Sequence, residues 1–102
     1  MHFVLLAEHD PDTCPTSNAR IRALVKETAP ATAKVAEQHR VRILVGPLVS
    51  REHLTVLVVE AERADDLDRF LADSRLAQWN SVRVVPSVPV EDMDFDGHPP
   101  LF

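Results

Sequence analysis

Two segments of the chain alternate like β-strands yet are apolar on both of their faces. Residues 3–7 and residues 54–59 consist almost entirely of apolar side chains. A strand with one solvated face alternates apolar and polar residues, whereas a continuous apolar run is typical of a strand buried on both faces. Both segments therefore require a sheet that is covered on each side, and this requirement limits the possible folds more than any other feature of the sequence.

Helical patterns separate the predicted strands. An apolar stripe with a period of 3.6 residues predicts one helix over residues 15–39, kinked near Pro30, with Thr13 or Cys14 as its N-cap. A second helix is predicted from about Ala64, because two acidic residues follow there and suit the positive end of a helix dipole. Both helices are amphipathic, so we expect each of them to pack on a sheet.

Two further strands complete an alternating order of elements. They are predicted at residues 41–45, ending at Gly46-Pro47, and at residues 81–85. The resulting order, β-α-β-β-α-β, is typical of a ferredoxin-like α+β fold, with a four-stranded antiparallel sheet in the order 4-1-3-2 and two helices on one face. Because the helices leave the other face bare, we expect a second copy of the sheet to cover it, which makes the protein a homodimer.

Length and charge exclude several classes of protein. A chain of 102 residues is long enough for one domain, which we place at residues 1–88, followed by an acidic, proline-containing tail at residues 89–102. A net charge of −5 argues against a nucleic-acid partner, and the apolar runs are too short for a membrane helix. The single cysteine cannot form an intrachain disulfide, so we expect a cytoplasmic protein. The tail is either solvated or docks its terminal Leu101-Phe102 on a neighbouring subunit.

Four short segments carry a family resemblance: VGPL at 45–48, LVVEA at 57–61, FLAD at 70–73 and SVRV at 81–84. Together with the opening strand they resemble the YciI-like proteins, which belong to the dimeric α+β barrel superfamily. The resemblance implies two sheets that pack face to face in a dimer. It also implies a site that pairs a histidine of the first helix with an aspartate at the position of Asp73. Residues 16–38 contain no histidine, so this dyad is incomplete here and only the fold is carried over.

The predicted topology collects several reactive side chains at one edge of the sheet. The end of strand 1, the start of helix 1, the start of strand 3 and the end of helix 2 all meet there. They bring together His9, Cys14, His53, Trp79 and Asn80. Two imidazoles and a thiolate form a ligand set that both copper and zinc accept, so we predict a metal site of His9, Cys14 and His53.

The same residues also allow redox or thiol chemistry on a small molecule. A thiol at a helix N terminus has a lowered pKa and a raised nucleophilicity, and His9 could serve as its base, so Cys14 and His9 are the predicted catalytic pair. Asn18, one helical turn after Cys14, and Trp79, as a wall of the cleft, are the predicted contacts to the substrate. The alternative is a non-catalytic module that binds a small molecule or another protein and in which Cys14 is incidental.

Overall fold

The computed structural model describes residues 1–93 and contains one four-stranded sheet with helices packed on it. The strands are His2–Glu8 (β1), Arg42–Val49 (β2), Leu54–Glu60 (β3) and Ser81–Ser87 (β4). The helices are Ala19–Thr28 (α1), Thr32–Gln38 (α2), Ala64–Asp73 (α3) and Leu76–Trp79 (α4). Most of the predicted tail, including Leu101-Phe102, lies outside the described residues, and the domain boundary at residue 88 stays a prediction.

The sheet has the strand order β2-β3-β1-β4, and every neighbouring pair of strands is antiparallel. β1 is one of the two central strands, where Leu5 lies between Leu57 of β3 and Val84 of β4. This topology confirms the predicted ferredoxin-like α+β fold and the predicted strand order. It also makes the last residues of β1 neighbours of the first residues of β3, at one end of these two central strands.

The core lies between the helices and one face of the sheet. Alternate residues of β1 and β3 are buried there, as the two-residue period of a pleated strand requires. Leu5, Leu57, Val59 and Phe70 are the largest fully buried side chains. Burial of an apolar side chain of this size contributes about 1.5–3 kcal/mol to stability. Phe70 lies on α3, so its burial packs that helix against the sheet.

The second face of the sheet is also apolar, but its side chains are only partly buried. Val4 and Leu6 of β1 alternate with the core residues, and Val56 and Val58 of β3 do the same. The helices of residues 1–93 thus cover one face of the sheet, as predicted, and leave an apolar second face partly open to solvent.

The first helix begins later than the sequence predicts. Asn18 is its N-cap, because Asn18 Oδ1 accepts a hydrogen bond from the backbone N–H of Ile21 at 3.1 Å. Cys14 instead ends a short 3-10 turn at Pro11–Thr13, so the prediction of a helix N terminus at residue 14 or 15 is wrong. The free N–H groups of a first helical turn need a side-chain acceptor, and the chain supplies one at residue 18.

Pro30 divides the predicted single helix into two. It lies in a 3-10 turn, Ala29–Ala31, that separates α1 from α2. Proline has no backbone N–H, and its ring collides with the carbonyl group four residues earlier, so the α-helical hydrogen bonding is interrupted here. The residues that flank the turn keep right-handed helical dihedral angles, so the apolar stripe continues across it. Among the helices of residues 1–93, none is long and apolar enough to cross a bilayer.

β2 continues through Gly46-Pro47, where the sequence predicts its end. The strand reaches Val49, and its register with β3 shifts twice on the way. Gly46 has a φ of +93°, and a Cβ at this position would lie 2.5 Å from the carbonyl oxygen of Val56. Only glycine permits so close an approach of the two strands. The Gly-Pro pair therefore lies within an irregular part of β2, at the second of its two register shifts, and does not end the strand.

Candidate metal centre

Three potential metal ligands converge at one end of the central strands. His9 follows β1 and His53 precedes β3, so the antiparallel pairing of these strands makes the two histidines neighbours. The backbone N–H of His9 donates a hydrogen bond to the carbonyl oxygen of His53 at 3.1 Å. Cys14 comes from the segment between β1 and α1. Each of the three side chains offers a ligand atom, and these atoms all lie within 4.8 Å of one another.

The donor types and their spacing fit a transition metal ion. Tetrahedral zinc has bonds of about 2.0 Å to nitrogen and 2.3 Å to sulfur, which places neighbouring ligand atoms about 3.5 Å apart. The three candidate ligand atoms all lie within 4.8 Å of one another. Copper accepts the same set of two imidazoles and one thiolate. The structure thus brings together the predicted trio, His9, Cys14 and His53, with donors that suit both metals.

Asn80 determines which ring nitrogen of His9 is left for a metal. Asn80 Nδ2 donates a hydrogen bond to the carbonyl oxygen of Leu76 at 3.0 Å, which leaves Asn80 Oδ1 for His9. That oxygen lies 3.2 Å from His9 Nδ1 and can only accept, so Nδ1 carries the proton. In neutral His9 the free lone pair is then on Nε2, which is buried and has no hydrogen-bond partner within residues 1–93. Histidines that bind metals commonly donate their other N–H in this way.

Cys14 is 7% exposed, and local contacts activate its thiol. The hydroxyl oxygen of Thr16 lies 3.0 Å from Cys14 Sγ. Hydrogen bonds from the side chain and backbone of Thr16 hold the pKa of Cys14 below its ordinary value, and His53 adds to this effect, while burial opposes it. The direction predicted from the sequence is therefore confirmed. The predicted cause is wrong, because α1 begins at Ala19 and its N terminus is not at Cys14.

The three candidate ligands form part of the wall of a cavity of about 410 Å³. The cavity lies between the helices, the sheet and the turn that joins β2 to β3, since residues of all three line it. Most of its exposed lining is apolar. The largest apolar side chains in the lining are Val25, Val49, Leu57, Phe70, Leu76 and Trp79. A cavity of this volume and polarity is typical of a site for a small organic molecule.

The two predicted substrate contacts lie in different environments. Trp79 lines the cavity, and its ring centroid lies 5.0 Å from that of His9, with the ring planes at 50°. Asn18 is not part of the cavity lining. Its Nδ2 donates a hydrogen bond to the carbonyl oxygen of Asp12 at 3.0 Å, and its Oδ1 caps α1. The contacts of Asn18 therefore give no support to a role in ligand binding.

The sequence does not reveal the contributions of two residues that contact the candidate ligands, Thr16 and Asn80. Thr16 activates the thiol, and its position two residues after Cys14 is the signal that could have revealed it. The sequence places Asn80 at the same end of the sheet as His9 but gives it no role in the site; in the structure its Nδ2 donates a hydrogen bond to the carbonyl oxygen of Leu76. Its contact with His9 joins residues 71 positions apart, so no local pattern reveals it.

A separate histidine–aspartate pair lies outside the cavity lining. His39 Nε2 is 2.6 Å from Asp73 Oδ2. His39 is the residue that follows α2, whereas the resemblance to YciI-like proteins implies a histidine within the first helix. Asp73 thus has a histidine partner, but the pair is distinct from the candidate metal ligands.

Comparison of the chain with protein-family models, curated proteins and solved structures finds no match. The resemblance to YciI-like proteins therefore stays a prediction. The chemistry of the site follows from the donor atoms of His9, His53 and Cys14 and from the apolar cavity that they line.

Proposed function

We propose that this protein binds a zinc or copper ion through His9, Cys14 and His53 and acts on a small molecule held in the adjoining cavity. The observation that carries the proposal is the buried His9 Nε2, which lacks a hydrogen-bond partner within residues 1–93 and belongs to a cluster of three metal-binding side chains. A buried polar atom without a partner costs about 1–3 kcal/mol. A metal ion bound to Nε2 would remove that cost.

The protonation states of two ligands support this proposal. Metals bind the thiolate of cysteine and the neutral form of histidine. The contacts of Thr16 and His53 lower the pKa of Cys14 and so favour its thiolate. The contact of Asn80 with His9 Nδ1 leaves the lone pair of the neutral imidazole on Nε2. Contacts within the protein therefore favour the thiolate of Cys14 and leave Nε2 of His9 available to a metal.

The cavity supplies the conditions for chemistry on a bound molecule. A zinc ion with three protein ligands keeps a position for water or substrate and supplies a Lewis acid, and copper adds one-electron redox chemistry. The apolar lining, including Leu57 and Phe70, excludes water from a bound molecule. Trp79 lines the cavity next to the His9 ring and limits the access of solvent to the imidazole.

Metal titration of the purified chain, prepared without a histidine tag, tests the proposal. After chelator treatment, reloading and desalting, we expect elemental analysis to find one equivalent of zinc or copper per chain. Cys14→Ser and His53→Gln should each lose most of the bound metal. His39→Gln is the matched control, because His39 lies outside the cavity lining and should leave the full equivalent bound. Full retention by both Cys14→Ser and His53→Gln would exclude the site.

The lowered pKa of Cys14 supports a second candidate, thiol chemistry in the same cavity without a metal. In that case Cys14 is the reactive group, and the cavity holds its small-molecule partner. Alkylation kinetics separate the two candidates, because a bound metal protects a ligating thiolate. If the chain retains no metal and iodoacetamide modifies Cys14 faster than it modifies a free cysteine at pH 7, the thiol candidate is correct. A chain with neither property would leave the non-catalytic binding module as the remaining candidate.

We also propose that the open sheet face is the interface of a homodimer. The strand register aligns apolar residues in two rows across this face: Val45, Val58, Val4 and Val85, then Leu48, Val56 and Leu6, with Arg83 at the β4 end of the second row. Val45 is 47% exposed and Leu48 is 55% exposed. The next row contains Arg42 and Glu60, whose charged groups lie 3.7 Å apart. A second copy presents the same apolar rows, so a two-fold axis through this face would bury them against each other.

Light scattering at micromolar concentration tests the dimer. We expect twice the chain mass for the native protein and the single-chain mass for Val58→Lys, which places a charge in the centre of the apolar rows. Val90→Lys is the control, because Val90 is a 72% exposed apolar residue outside the sheet and should leave the dimer intact. A folded Val58→Lys variant that remains a dimer would contradict this interface.

A further inference from the structure

We infer that the cavity takes a small amphipathic anion, with an apolar body against the helices and sheet and one carboxylate bound by Arg51. This inference rests on the proposed function in that it names the class of ligand for the same cavity. It concerns charges and hydrogen-bond donors that lie apart from the three candidate metal ligands.

Arg51 supplies the permanent charge of the cavity lining. Within residues 1–93 the lining contains no aspartate, glutamate or lysine, and its other titratable side chains are those of His9, Cys14 and His53. The ion pairs of the described part of the chain do not include Arg51. Arg51 is therefore an exposed cationic residue in the lining of an apolar cavity, without a carboxylate partner among these residues.

Two of the hydroxyl groups in the lining donate their hydrogen bonds within the protein. The Thr28 hydroxyl donates to the carbonyl oxygen of Leu24 at 2.9 Å, and the Thr32 hydroxyl donates to that of Thr28 at 3.3 Å. These donors satisfy the helix backbone and are not free for a ligand. A molecule in the cavity thus meets apolar surface over most of its area and meets charged donors at Arg51.

An amphipathic carboxylate matches this distribution better than a neutral or cationic molecule. A guanidinium binds a carboxylate through two parallel, charge-assisted hydrogen bonds. A cation of the same shape would be repelled by Arg51 and would find no carboxylate in the described lining. A neutral apolar molecule would gain the contacts with Leu57 and Phe70 but would leave the guanidinium unused.

Calorimetry with three probes of one shape tests the inference on the metal-free Cys14→Ser chain at pH 8, where neither a bound metal nor the Cys14 thiolate can contribute. The probes are 4-phenylbutyrate, 4-phenylbutanol and 4-phenylbutylammonium, which share an apolar body and differ in charge. We expect the carboxylate to bind about tenfold more tightly than the alcohol, as charge-assisted hydrogen bonds imply, and the ammonium to bind most weakly.

Variants then assign the preference to Arg51. Arg51→Gln should lower the affinity for the carboxylate to that for the alcohol and leave the affinity for the alcohol unchanged. Arg20→Gln is the control, because Arg20 is exposed on α1 and outside the cavity lining. Equal affinities for the three probes, no binding of any of them, or a preference that survives Arg51→Gln would overturn the inference.

Failure of this inference is distinguishable from failure of the metal site. Arg51→Gln should retain the full equivalent of metal, since Arg51 is not one of the clustered ligands. Cys14→Ser should lose the metal yet keep the preference for the carboxylate.

Discussion

Asn80 Oδ1 lies 3.2 Å from His9 Nδ1, and this contact between residues 71 positions apart assigns the proton of the imidazole. The Asn80 amide cannot turn around without losing the bond from its Nδ2 to Leu76. His9 Nε2 is consequently the nitrogen that is left for a metal, and it is buried. Asn80 therefore acts on the proposed site through His9, without being a ligand itself.

Loss of the Asn80 acceptor should weaken metal binding. We expect Asn80→Ala to lower the affinity for zinc by about 10- to 100-fold, the usual effect of removing a group that orients a ligating histidine. Asn80→Asp keeps an acceptor at this position and should bind zinc at least as well as Asn80→Ala. Competition with a chromophoric chelator measures both affinities, and circular dichroism checks that the variants fold. An unchanged affinity in Asn80→Ala would show that the contact does not position His9.

Removal of the Thr16 hydroxyl should raise the pKa of Cys14 in the metal-free protein. Thr16 is the largest contributor to the lowered pKa, so Thr16→Val should shift the midpoint of thiol alkylation toward the value of about 8.5 for a free cysteine. At pH 7 the variant should therefore react more slowly than the native protein. Thr16→Ser keeps the hydroxyl and should keep the native pH profile. Identical profiles for Thr16→Val and the native chain would contradict the assigned cause.

The lowered pKa of Cys14 also makes the stability of the metal-free protein depend on pH. Because the pKa of Cys14 is lower in the folded chain than in the unfolded chain, thiolate formation stabilises the folded state at pH values above the unfolded pKa. This contribution is lost as the pH falls through the folded pKa. Between the folded and the unfolded pKa of Cys14, the free energy of unfolding should therefore depend less on pH for Thr16→Val than for the native chain. Chemical unfolding at a series of pH values measures this difference.

Gly46 should tolerate no side chain. Gly46→Ala combines a φ of +93° with a Cβ that would approach the Val56 carbonyl oxygen to 2.5 Å, so the backbone must shift. We expect the free energy of unfolding to fall by about 2 kcal/mol or more, as in other substitutions that strain the backbone. Urea unfolding measures the change, with Glu52→Ala in the following turn as an exposed control. A loss below about 0.5 kcal/mol, the range of neutral surface substitutions, would contradict the close approach.

Asn18 should contribute to stability and not to binding. Asn18→Ala removes the acceptor that caps α1, which should lower the free energy of unfolding by about 1 kcal/mol. Zinc and 4-phenylbutyrate should bind the variant with native affinity, because Asn18 is outside the cavity lining. A tenfold loss of affinity for 4-phenylbutyrate would restore Asn18 as a substrate contact.

Local sequence signals explain why so much of the site could be predicted. His9 directly follows one strand and His53 directly precedes another, and the antiparallel pairing of those strands makes the two histidines neighbours. Cys14 lies only a short turn beyond the same strand. The predicted trio therefore depended on strand order, which the alternation of apolar residues indicates.

Predictions of the residue at which a helix begins or a strand ends were less successful. The choice between Cys14 and Asn18 as N-cap is a competition between nearby acceptors, and it is decided by which of them reaches a free N–H. Gly46-Pro47 has the composition of a strand end, but β2 stays close to β3 there and pairs with it again at Leu48 and Val49. Such outcomes depend on the space around a residue, which its own type does not specify.

The order of the elements, the pairing of the strands and the meeting of His9, Cys14 and His53 were determined by the sequence alone, because periodicity and chain connectivity are local properties. The tertiary structure decided the tautomer of His9, the source of the lowered pKa of Cys14 and the placement of Arg51 in the wall of an apolar cavity. Each of these depends on distances of a few ångströms between atoms of separate side chains. Such distances are set only when the helices pack on the sheet.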